Sequence, residues 1–163
     1  MLGSGSASAG EPLDRWIRFD DPYRCVPAEV LGVLVTRLVR FEERGETYAP
    51  VVMPQTVPDV LKAHVGEPRL DVDGEDYRVT APLAGSWQGL PLRAVEISGR
   101  VESEQGFALL FDAPREQVLA AANRAGFQLP QSGERYLDED VLGLSIGVAA
   151  RENGAVELYC MPG

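Results

Sequence analysis

Between residues 144 and 160 the chain alternates with a period of two. Leu144, Ile146, Val148 and Ala150 fall on one side of a run, and Val156, Leu158 and Cys160 repeat the pattern just beyond Glu152-Asn153-Gly154. A period of two is the strand period, and a connection this short joins only antiparallel neighbours. The pattern also chooses the register. A two-residue Asn153-Gly154 turn sets Leu158 opposite Ala149 and splits the apolar sets. A three-residue loop, Glu152-Asn153-Gly154 with Gly154 left-handed, sets Val148 opposite Leu158 and Ile146 opposite Cys160, so one face stays apolar. The three-residue loop is the expectation.

The same grammar recurs upstream. Leu70 and Val72, Asp73-Gly74, then Tyr77 and Val79 read as a second hairpin. A two-residue Asp73-Gly74 loop pairs Val72 with Glu75 and Leu70 with Tyr77, and faces Asp71 against Asp76. Val95, Ile97 and Val101 alternate with Glu96, Ser98, Arg100 and Glu102, so that strand has one wet face. Gln105-Gly106 then reads as a turn, and Phe107 to Phe111 is apolar on both sides, as a central strand must be.

Helical periodicity appears twice. Val30, Leu31, Leu34, Val35 and Leu38 make one stripe, entered through Pro27 and read as helix to about Thr36, with Gly45 suited to a stop and a competing strand reading from Val33 to Phe41. Val118, Leu119, Ala122 and Ala125 make the other, between Asp112 and the stop at Gly126. A short helix from Asp59 to Val65 follows Pro58. The segments Thr47–Pro58, Pro82–Pro91 and Pro130–Asp140 read as loops. The fold class expected is α+β: an antiparallel sheet of about five or six strands built from hairpins, packed on one face by two helices. Residues 13–163 form one domain behind a flexible tail, residues 1–12.

The chain has 163 residues, a net charge of −10 and 45% hydrophobic residues, enough for a core. The acidic balance argues against nucleic acid as a partner. No apolar run reaches the ~20 residues of a membrane span. Ala7-Ser8-Ala9 fits the small-residue pattern that precedes a signal-peptide cut, although a basic region and an apolar stretch are missing before it. The tail therefore reads either as the remnant of a signal peptide or as an ordinary flexible segment.

Cys25 and Cys160 are the two cysteines, and His64 is the one histidine. A structural zinc site needs about four such ligands and is excluded by count. The cysteines are either two buried thiols or one bridge. We expect the bridge, which by loop-closure entropy is worth ~4–5 kcal/mol, and with it an oxidising, periplasmic or secreted location rather than the cytoplasm.

Catalytic sets are hard to find. His64 lies in no serine or cysteine triad pattern, and no phosphate-cradling glycine motif occurs. Paired carboxylates are many, and none is singled out as a hydrolase would require. Asp71-Val72-Asp73-Gly74-Glu75-Asp76 misses the calcium-loop spacing, since the twelfth position from Asp71 is Pro82. No cofactor and no metal are expected.

The loop aromatics with their carboxylates are the candidate binding residues: Trp87, Tyr48, Met53, Tyr136, Asp138, Glu139 and Asp140. Such a set suits a basic protein partner. The leading function is a non-enzymatic exported domain that binds a protein, of the class of inhibitors or immunity proteins of an envelope hydrolase. The alternatives are a small-ligand or lipid carrier of the cell envelope and a carboxylate-dependent hydrolase.

Overall fold

The computed structural model describes residues 10–138 and 143–162. Strands β1 (Phe19–Asp21) and β2 (Val26–Pro27) lead into helix α1 (Glu29–Arg37). A hairpin of β3 (Val39–Arg44) and β4 (Thr47–Val52) follows, then two short 3₁₀ turns, Pro54–Thr56 and Asp59–Leu61. Next come β5 (Arg69–Asp73), β6 (Asp76–Pro82), β7 (Ser86–Trp87), β8 (Leu90–Arg100) and β9 (Gln105–Phe111). Helix α2 (Arg115–Arg124) precedes β10 (Glu134–Leu137), β11 (Leu144–Ala150) and β12 (Val156–Pro162).

The fold is α+β, with an antiparallel sheet larger than expected. Eight strands join it, in the order β10-β11-β12-β9-β8-β6-β5 with β7 beside β8, and two small two-stranded sheets lie outside it. The extra strands hide in segments that read as loops. On β10 the inward pair of Ile146 is Arg135, a charged residue, so no apolar alternation marks the strand.

The last hairpin has the expected register, Val148 opposite Leu158 and Ile146 opposite Cys160, with Gly154 at φ 87°. The β5–β6 hairpin slides by two. Asp73 faces Asp76 and Val72 faces Tyr77, so the loop is Gly74-Glu75 rather than Asp73-Gly74. The shift keeps Leu70, Val72, Tyr77 and Val79 on one face and sets Asp71 opposite Arg78 instead of Asp76. The like-charge pair that remains, Asp73 and Asp76, has Arg100 Nε 3.4 Å from Asp76. The turn between β8 and β9 falls at residues 101–104, which leaves Gln105 and Gly106 inside β9.

Helix α2 ends as its sequence says. The N–H of Phe127 donates to Ala122 O and that of Gly126 to Asn123 O, with Gly126 at φ 107°. This closes the helix with a Schellman motif. Helix α1 ends at Arg37, one residue past the expected Thr36 and well before Gly45. Its last carbonyls, Arg37 O and Leu38 O, accept from Thr56 Oγ1 at 3.0 Å and Met53 N at 2.7 Å. Gly45 instead turns the β3–β4 hairpin at φ 66°.

One apolar cluster joins the inward residues of the sheet to the buried stripes of both helices: Leu31, Leu34 and Val35 of α1, and Val118, Ala121 and Ala122 of α2. The N-terminal residues Leu13 and Ile17 belong to the same cluster. Cys25 and Cys160 form a disulfide across 135 positions, with their Cα atoms 6.3 Å apart, and tie the N-terminal segment to β12. Glu11 and Pro12 are held as well. Ser86 N donates to Glu11 O at 2.8 Å, and Pro12 bridges to Ser86. No helix among the described residues is long and apolar enough to cross a membrane.

Trp87 is a correction to the surface reading of its loop, since it is 1% exposed. Gln88 and Gly89 both have positive φ, the signature of a tight hairpin turn, and pair Trp87 with Leu90. Residues 11–14 close over the loop, with Asp14 Oδ1 accepting from Gln88 N at 2.7 Å. The indole then meets Phe19, Phe111 and Phe127 with ring centroids 5.8–6.5 Å apart. We expect Trp87→Ala to lose about 3–5 kcal/mol of stability in urea unfolding, the usual range for emptying an aromatic core position.

Candidate functional site

The strands of the main sheet point every second residue away from the apolar cluster. One such row runs across the whole sheet: Arg69, Thr80, Glu96, Ala108, Tyr159, Gly147 and Glu134. The next rows carry Ala94, Leu110, Glu157 and Ala149 on one side and Met161, Ser145 and Tyr136 on the other. Ala94, Ala108 and Leu110 are nearly fully buried, and the apolar side chains packed on them are Tyr159 and Met161 of the same sheet. Among the described residues this face is therefore covered by its own side chains.

Two glycines make that cover possible. A methyl group at Gly147 would lie 2.7 Å from Tyr159 Cζ, and one at Gly106 would collide with Met161 Sδ. The phenol and the thioether thus lie across the neighbouring strands. Tyr159 Oη donates to the Glu134 carboxylate, and Ser98 Oγ lies 3.8 Å from Met161 Sδ. Tyr136, 55% exposed, stands at the β10 end of the face. The result is an apolar strip with two tyrosines and a methionine, the residue types that enrich the centres of protein interfaces.

The β5 side of the face is charged. Glu96 is 2% exposed and accepts two hydrogen bonds from Arg151, from Nη1 at 2.9 Å and Nη2 at 2.6 Å. Arg151 Nε donates to Glu157 Oε2 at 2.7 Å, and Arg78 Nε lies 3.6 Å from Glu96 Oε1. The hydrogen bonds to Glu96, and then to Glu157, hold the Arg151 guanidinium above its already high ordinary range despite its burial. Both oxygens of Glu96 accept from Arg151, so the one buried carboxylate among the described residues is committed to an internal ion pair.

The expected binding residues do not form one site. Tyr48 lies on β4, which packs beside β5, whereas Tyr136 lies on β10, the opposite edge of the sheet. Six strand spacings of about 4.8 Å separate those edges. Met53 is half-buried and serves α1 through its backbone. Asp138 is exposed just past β10. Glu139 and Asp140 lie outside the described residues. Tyr136 alone joins the open face, where Tyr159, Met161, Glu96 and Arg151 were not singled out beforehand. Gly147, a glycine inside the Leu144–Ala150 strand pattern, was the available signal.

The other sequence candidates resolve into ordinary partners. His64 Nδ1 lies 3.1 Å from Ala84 O, and its Nε2 lies 3.5 Å from Glu11 Oε2. In the acidic hairpin Asp71 meets Arg69, while Glu75 and Asp76 meet Arg100. Among the described residues no three His, Cys, Asp or Glu side chains converge as a metal site. Comparison of the chain with protein-family models, curated proteins and solved structures returns no match.

Two outcomes test this anatomy. Arg151→Met leaves Glu96 buried without its main partner and should cost about 3–5 kcal/mol in chemical denaturation, whereas the double variant with Glu96→Leu should recover much of the loss. Burial, with the Glu134 and Glu157 carboxylates, raises the Tyr159 phenol above its ordinary value, and burial raises Tyr77. The unfolded phenols ionise near about pH 10 while the folded ones keep their protons, so stability is full below that pH and falls above it. Tyr159→Phe should flatten the alkaline fall in a series of melts.

Proposed function

We propose that this chain is a non-enzymatic domain, exported to the periplasm or secreted, that binds a protein partner through the open face of its sheet. The observation that carries the reading is the strip of Tyr136, Tyr159 and Met161 beside Ala108 and Leu110, uncovered by any described helix. A charged border beside an apolar centre is the anatomy of a protein interface. The disulfide supports export, because such bonds persist in oxidising compartments. A charge of −10 favours approach by a basic partner. Within that class, an inhibitor or immunity protein of an envelope hydrolase fits the size and charge of the domain.

The carrier and hydrolase readings draw less support. The apolar cavity beside the disulfide, lined by Val35, Phe107 and Leu144, is only about 220 Å³. The larger depressions, of about 500 and 570 Å³, are lined mainly by charged and polar residues such as Asp71, Arg78, Arg100, Glu152 and Asn153, unlike the apolar lining a lipid needs. Glu96 is committed to Arg151. The partner reading is tested by placing a photo-crosslinking phenylalanine analogue at Ser145, on the open face, or at Gln117, on the exposed side of α2. In cells that naturally make the protein, a discrete adduct at Ser145 and none at Gln117 is the expected result. Equal labelling at both positions, or none at Ser145, overturns the assignment.

A further inference from the structure

We propose that the β5 end of the open face holds a binding site for an oxyanion, the group common to phosphates and carboxylates. A depression of about 340 Å³ there is lined by Arg69, Arg78, Arg93 and Arg151, with Thr80 and Asn153 between them and Ala94 and Leu110 as an apolar floor. Two carboxylates, Asp71 and Glu96, also line it, and two more border it: Asp112 against Arg93, and Glu157 against Arg151. Four arginines thus meet four carboxylates in a chain that carries −10 elsewhere and here together. Net charge alone does not make the site. The unused donors make it.

Arg151 spends all three nitrogens, on Glu96 and Glu157. The other three arginines do not. Arg69 meets Asp71 through Nε alone, at 3.3 Å, and Arg78 reaches Glu96 through Nε alone, at 3.6 Å. Arg93 turns Nε and Nη2 on a single oxygen of Asp112, which leaves Nη1. Asn153 Oδ1 accepts from Ala155 N at 3.0 Å, which fixes the amide and leaves its Nδ2 as a donor. Thr80 adds a hydroxyl. Each carboxylate in the depression is engaged by a guanidinium, whereas the three arginines that use only part of their donors line the same space. A planar fork of N–H donors is the group that matches an oxyanion with two parallel bonds. The site stands apart from the partner reading, because it occupies the β5 end of the face whether or not a protein covers the β10 end.

The test uses the whole chain, with ¹⁵N spectra of the arginine Nε–H groups and of the Thr80, Ala94 and Asn153 amides. One arm titrates inorganic phosphate and the other an acetylated triglutamate peptide, at constant ionic strength. Saturable shifts confined to Arg69, Arg78, Arg93 and these amides are expected in at least one arm. Saturation by phosphate assigns a free anion, and saturation by the peptide alone assigns a side chain presented by another protein. Arg78→Gln should weaken the response about tenfold, the loss of one charge-assisted fork. Arg37→Gln, the same charge change on α1, should leave it intact. Arg93→Gln provides a second variant should Arg78→Gln disturb the amide spectrum. Shifts that are linear in both arms, or that Arg78→Gln and Arg93→Gln leave unchanged, overturn the proposal.

Discussion

Strand β9 runs Phe107, Ala108, Leu109, Leu110, Phe111 without a polar residue, and both of its faces must leave water. Its inner residues, Phe107, Leu109 and Phe111, meet the cluster built by the helices and the N-terminal segment. Its outer residues, Ala108 and Leu110, have no such layer. They are shielded by whatever the neighbouring strands can lay over them. The long side chains on β8 and β12, the two glycines that let Tyr159 and Met161 lie flat, and the Glu96–Arg151–Glu157 chain of ion pairs all answer that one requirement.

This answer has a chemical by-product. A face covered by arginine, tyrosine and methionine side chains, rather than by a helix, keeps its polar tips in contact with solvent while their stems exclude water from the alanines and leucine beneath. Burying Glu96 in the middle of it demands a fully committed Arg151, since an unpaired carboxylate there is costly. The exposed arginine pairs nearby contribute little to stability. In the reading proposed above they serve recognition, as the rim of one surface that is apolar at the β10 end and rich in donors at the β5 end.

The parts of this architecture that follow from local pattern were legible in the chain itself. The register of the last hairpin came from matching two apolar sets, and the end of α2 came from Gly126 followed by Phe127. The central place of β9 came from its unbroken apolar run. Features made by distant residues were not legible. Pro50 and Pro54 argue for a loop, yet β4 pairs along β3 through Thr47–Val52. Trp87 looked exposed among glycines and prolines because the rings that pack on it, Phe19 and Phe127, lie far off in the chain. The Glu96–Arg151 pair spans 55 positions, and neither residue is distinctive in its own strand. Among the candidate binding residues Tyr136 has a place on the open face, and the loop grouping that suggested it did not correspond to a neighbourhood in space.

The position of β12 has a consequence for biosynthesis. It is the last described strand to leave the ribosome, yet in space it lies inside the sheet, between β11 and β9. Until Val156–Pro162 emerges, the nascent chain carries β9 with one bare edge and two apolar faces, and Cys25 has no thiol to meet. Pairing across such separations is slow, and partly paired sheets of this kind aggregate. A polypeptide of this order gains its cover only after Val156–Pro162 has been translated, which favours folding in one late, cooperative step.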